Sequence, residues 1–132
     1  MQKIKESVFF ILMLSVFVGC SDNTIVVNTQ NKTISRPSKS EIKSIAITGE
    51  EGSIFFTSDM GSKTFSLIGE NTNYAFKKSG NICCDSNDKF IFKPIVGKNY
   101  TIQHSSNGDS PPYIIEVVFR KDGGLDIIDN NN

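Results

Sequence analysis

The sequence has no tryptophan, a single histidine and only three cysteines, and each shortage removes a class of protein. A zinc site takes three or four converging His, Cys or carboxylate ligands. With His104 as the only imidazole, and no ligand spacing around Cys83 and Cys84, no metal or other cofactor is expected. A cysteine nucleophile would have one candidate base in the whole chain, so no catalytic residue is assigned either. Charge of one sign is missing too: 14 basic residues balance 14 acidic ones. No basic stripe stands out, which argues against nucleic acid as a partner. Nor is there a Gly-rich phosphate loop, an internal repeat, or a helical period of useful length after residue 20. The run Asp85-Ser86-Asn87-Asp88 has the look of a calcium loop but lacks the Gly and the closing Glu of an EF-hand.

Cysteine usage is equally restrictive. Cys83 and Cys84 are adjacent, and neighbouring Cα atoms lie about 3.8 Å apart, below the roughly 4.4–6.8 Å of an ordinary disulfide. Strand alternation would bury one as a small hydrophobe and turn the other outward. A strained redox pair and an intermolecular disulfide are the alternatives in an oxidising compartment.

What the chain does have is concentrated at its start. Lys3 and Lys5 form a positive head, Val8 to Val18 an apolar run, and Gly19 stands immediately before Cys20. Phe17-Val18-Gly19-Cys20 resembles the lipobox of a bacterial lipoprotein, although Leu is usual where Phe17 stands. The competing readings are an uncleaved anchor and an ordinary secretory signal. The apolar run of about a dozen residues falls short of the roughly 20 that a spanning helix needs. Residues 1–19 are therefore expected to be a helical signal, with a lipid on Cys20 attaching the protein to the membrane. Multiple acylation holds stably, since each buried methylene contributes about 0.8 kcal/mol. Ser21 rather than Asp follows Cys20, which by similarity to enteric lipoproteins implies the outer membrane and its periplasmic face.

From Ser21 to about Glu41 the composition is Asn, Thr, Ser and Lys, broken by Ile25, Val26, Val27 and Ile34. It reads as a flexible tether over residues 20–41, with Ile25 to Val27 as a possible edge strand. The domain proper is expected over 42–128. Period-two patterning marks strands at Ile42 to Ile47, Ser53 to Thr57, Thr64 to Ile68, Tyr74 to Phe76, Lys89 to Lys93, Asn99 to His104 and Tyr113 to Arg120. Gly49 to Gly52 makes a hairpin turn, Asp59 to Ser62 and Lys77 to Asn81 read as a turn and a loop, and Asp122 to Gly124 leads into a last strand, Leu125 to Ile128. Tyr113 to Arg120 is the most apolar run and is expected in a central place. Residues 129–132 read as a polar tail. Seven or eight short strands at this spacing predict an all-β fold, a small antiparallel β-sandwich, Ig-like in character but without the Cys…Trp…Cys hallmark. Its core should include Phe55, Phe65, Phe92, Tyr100, Ile115, Val117 and Phe119.

Several of these stretches together carry a family likeness. A cysteine before a short turn, Phe90-Ile91-Phe92-Lys93-Pro94, then Gly97-Lys98-Asn99-Tyr100-Thr101-Ile102, and Tyr113 to Phe119 before a closing Gly124-Leu125 strand resemble the type VI secretion immunity lipoproteins of enteric bacteria. The likeness covers the signal and roughly Ile42 to Ile128. It departs in the first half, where members often carry a cysteine in the early strand and this chain has Ile54. Cys83 and Cys84 thus lack the partner that the family disulfide would supply. The resemblance implies a non-catalytic periplasmic protein that binds and neutralises a secreted toxin. An envelope-binding, adhesion or structural lipoprotein follows equally from an anchored sandwich with long loops. The long connection from His104 to Tyr113 is the expected partner contact, through His104, Asn107, Asp109 and Tyr113, against the plainer reading of a solvated link.

Overall fold

Two strands joined by the short turn at Glu50-Glu51 form the centre of the molecule: β3 (Ile42–Gly49) and β4 (Gly52–Ser62), paired antiparallel with Gly49 opposite Gly52. In the computed structural model the described residues are 23–82, 92–106 and 110–130. The signal, Cys20, Cys83-Cys84, the Asp85 to Asp88 turn, most of the expected Lys89 to Lys93 strand, and Asn107 and Asp109 lie outside them.

The hairpin is extended into a six-stranded sheet in the order β6-β4-β3-β7-β8-β9, with β6 at Ala75–Gly80, β7 at Asn99–His104, β8 at Tyr113–Phe119 and β9 at Leu125–Asn130. A three-stranded sheet, β1 (Val26–Asn28), β2 (Thr33–Ser35) and β5 (Thr64–Ser66), packs against it. Every pairing is antiparallel. The expected all-β architecture of two packed antiparallel sheets is therefore the one found.

Period two places Ile45, Ile47, Ile54, Tyr100, Ile102, Ile115, Val117 and Phe119 on the inner face, all buried. Two aromatic groups fill the space between the sheets. Phe56 meets Phe65 edge-on at 4.9 Å and Phe65 meets Tyr74 at 5.2 Å. Phe92, Tyr100 and Phe119 form the second group, with Phe92 and Tyr100 centred 5.1 Å apart. Such edge-to-face pairs contribute about 0.5–1.5 kcal/mol beyond their burial.

Four expectations are corrected. The tether is ordered from residue 23: β1 and β2 pair through Val27 and Ile34, and Ile34 in turn faces Phe65. Ile25, Val27 and Ile34 are all buried, each contributing about 1.5–3 kcal/mol that an exposed tether would forgo. The turn between them is tied by Asn28, whose Oδ1 accepts from the backbone N–H of Gln30 and of Asn31, both at 3.0 Å. Second, Phe56 and not Phe55 belongs to the core, because Ile54 and Phe56 share the inner parity and Phe55 stands 46% exposed on the outer face.

Third, β4 continues through the expected Asp59 to Ser62 turn to pair Ser62 with Ile42, across an irregularity in register. Lys77 to Gly80 likewise belongs to β6, a strand exposed along its whole length that shows no alternation, with lysines blunting a sheet edge. Gly52 and Gly80 lie opposite one another there, and a Cβ on Gly52 would fall 2.0 Å from the Ser79 carbonyl. Fourth, β8 is paired on both sides but stands one place from the sheet edge, and β9 runs on into the expected tail as far as Asn130.

The registers give the domain two ends. Ile42, Ser62, His104 and Tyr113 share one, here termed the Asn23 end. Gly49, Gly52, Gly80, Asn99, Phe119 and Leu125 share the other, the hairpin end.

Candidate functional site

Strand β7 begins at Asn99, alternates Tyr100 and Ile102 inward, and so delivers His104 to the inner face at the Asn23 end. His104 is only 2% exposed and faces Tyr113 across the β7–β8 ladder. Its Nδ1 lies 2.8 Å from the carbonyl oxygen of Asn23. A carbonyl can only accept, so Nδ1 carries the proton. Burial pushes the imidazole below its ordinary range; the bond to Asn23 works the other way, and the positive Arg36 adds to the depression. The ring is thus neutral and held in one tautomer.

Asn23 completes the arrangement. It is 4% exposed, and its Nδ2 donates to the carbonyls of Pro111 at 2.9 Å and Ser110 at 3.3 Å. The strand that follows it and the loop before β8 are therefore fastened to each other and to β7. Ser44 Oγ donates to the Ser105 carbonyl at 2.9 Å, tying β3 to the same loop. Beside these contacts an open cleft of about 660 Å³ is lined by Arg36, Glu41, Lys43, Phe55, Asp59 and His104 among others. Its mixed charge and open form suit no single ion.

Of the four expected contact residues, then, His104 and Tyr113 are brought together and Asn107 and Asp109 lie outside the described residues. The expectation that His104 offers itself to a partner is corrected: its ring packs inward and its described polar contact is with the chain's own backbone. Asn23 was not singled out by sequence. Its partners lie 81 to 88 positions away, and no local pattern distinguishes it from the other asparagines of a polar stretch. Among the described residues, no three His, Cys, Asp or Glu side chains converge as a metal site.

At the hairpin end the hub is Tyr100. Its hydroxyl donates to Glu51 Oε2 at 3.0 Å and accepts from the Ile95 N–H at 2.7 Å. Around it stand the exposed pair Lys98 and Glu50, 3.0 Å apart, and Arg120 with Asp122 and Asp126 at 3.1 and 2.7 Å. The Gly124 N–H and then the guanidinium hold the Asp122 carboxyl below the usual carboxylate range. Ile95 and Val96 are exposed at the same end. Comparison with known proteins adds no relative: no family model, curated protein or solved structure matches the chain.

Proposed function

We propose that the chain is a lipid-anchored protein of the bacterial envelope that acts by binding, as an immunity protein that occupies a toxin's working surface and neutralises it without catalysis. The observation that supports binding over turnover is the engagement of His104: the one imidazole is buried and holds the Asn23 carbonyl. A general base must reach a substrate proton, and this ring is turned into the fold. The anchoring half of the reading rests on the Val18-Gly19-Cys20 motif, and the choice of a toxin as partner on the resemblance to immunity lipoproteins.

The test is coexpression with the product of the neighbouring reading frame, directed to the periplasm. Growth should be restored by the wild-type chain and less well by Cys20→Ala, which cannot be acylated. Failure to protect against any neighbouring product would overturn the immunity reading in favour of an envelope-binding module. Replacing the whole Ser105 to Pro111 loop is a poor probe of contact, because the Ser110 and Pro111 carbonyls hold Asn23.

A further inference from the structure

Asn23, the first described residue and one already fastened into the fold, stands three positions after the cysteine of the lipobox. At no more than about 3.6 Å per residue, the leash from Cys20 to Asn23 spans at most about 11 Å. The headgroup layer takes roughly 5–8 Å of each leaflet, half the difference between a hydrocarbon core of about 30 Å and a bilayer of about 40–45 Å. A few ångström of free reach remain. The six residues of β7 alone extend the domain by about 20 Å, so a leash this short cannot present the hairpin end to the bilayer without unfastening Asn23.

We infer that the Asn23 end rests on the headgroup layer of the leaflet that holds the lipid, and that the hairpin end faces away from the membrane; the inference rests on the acylation of Cys20 put forward above. A second observation points to the same surface. Among the described residues, Met60 is the most exposed of the large apolar side chains, at 82%. It sits at the Asn23 end on the stretch Ser58 to Gly61, closed by the Gly61 N–H donating to Ser58 Oγ at 2.9 Å. Gly61 has φ +71°, and a Cβ there would fall 2.8 Å from the Ile42 carbonyl, so the shape is built in. Lys63 lines the same cleft as Met60, and Lys43 the neighbouring one. An apolar tip beside ammonium groups on flexible stems matches the boundary between headgroups and acyl chains. Glu41 and Asp59 line these clefts too, so the lipid supplies the attachment and this surface sets its direction. A partner arriving through the periplasm then meets the hairpin end, with Glu50, Ile95, Val96, Lys98 and Lys121 exposed on it.

Because the chain has no Trp, one introduced Trp is a unique probe. The full acylated protein carrying Met60→Trp or Lys121→Trp is reconstituted into vesicles of phosphatidylethanolamine and phosphatidylglycerol containing a headgroup-nitroxide lipid. Quenching several-fold stronger at position 60 than at position 121 is expected. A Gly-Ser spacer of about a dozen residues, inserted between Ser21 and Asp22, should shrink that difference. Equal quenching at the two positions in acylated protein would overturn the orientation, and a difference untouched by the spacer would overturn the short leash as its cause. Mass spectrometry of the same sample separates the two claims: no acyl chain on Cys20 sinks the anchoring reading itself, along with everything built on it.

Discussion

The His104 imidazole donates from Nδ1 to the Asn23 carbonyl across 2.8 Å, joining residues 81 positions apart. One bond thus couples the end of β7 to the segment that leads into β1. Because the ring is buried beside Arg36 and has its affinity for a second proton lowered, the coupling is sensitive to acid.

The sign of that sensitivity is fixed by linkage. An unfolded His takes up a proton near pH 6.5, whereas the folded ring resists until the pH is lower. Between those two points the unfolded state binds more protons, so stability is full above about pH 6.5 and falls as the pH drops below it. Urea unfolding of the chain from Ser21 onward should show a lower midpoint at pH 5.5 than at pH 7.5. In His104→Gln this decline should be much shallower. An equal decline in the variant would show that other groups carry it.

Ordering of residues 23–35 makes a second prediction. Ile34→Ala removes a fully buried side chain paired against Val27 and Phe65, and should cost about 2–5 kcal/mol in denaturant unfolding. Asn23→Ala strips the Pro111 and Ser110 carbonyls of a donor and should cost about 1–3 kcal/mol. If the segment were a tether, neither change would move the midpoint.

Strand parity gives a third. Phe56→Ala should cost about 3–5 kcal/mol, as expected for a buried aromatic. Phe55→Ala, on the outer face, should stay within about 0.5 kcal/mol, as surface changes generally do. Thermal unfolding of the two variants side by side decides the matter, and similar losses would place both rings in the core.

How far the fold was legible follows from these same residues. Asn99 to His104 alternates cleanly, so its bounds and faces could be read directly, whereas in Tyr113 to Phe119 only Glu116 marks the outer face of a nearly continuous apolar run. Ile54-Phe55-Phe56 is apolar at consecutive positions, and period two alone does not say which parity faces inward. In β6 the Lys77-Lys78-Ser79-Gly80 sequence is held by backbone pairing to β4 at a sheet edge, and edge pairing leaves no mark on side-chain pattern. The first small strand was carried only as the alternative to a tether at Ile25 to Val27, and β2 hid altogether: Val27 and Ile34 meet only across the turn at Asn28, while composition averaged over twenty residues reports the polar majority. The Asn23 clamp is invisible locally because every partner comes from the other end of the chain.

The last prediction separates stability from recognition at the hairpin end. Tyr100→Phe keeps the ring against Phe92 and Phe119 but leaves Glu51 without the hydroxyl and the Ile95 N–H without an acceptor. Two part-buried polar groups then lose partners, and a cost of about 1–2 kcal/mol is expected. Lys98→Ala breaks only an exposed ion pair with Glu50, and pairs of that kind contribute about 0–1 kcal/mol. Its unfolding midpoint should therefore stay near wild type. If the hairpin end carries the partner, Lys98→Glu should lower protection in the coexpression assay while leaving the urea midpoint nearly unchanged. Protection lost in proportion to stability across Tyr100→Phe and Lys98→Glu would instead make this end a structural feature and move the contact to another surface.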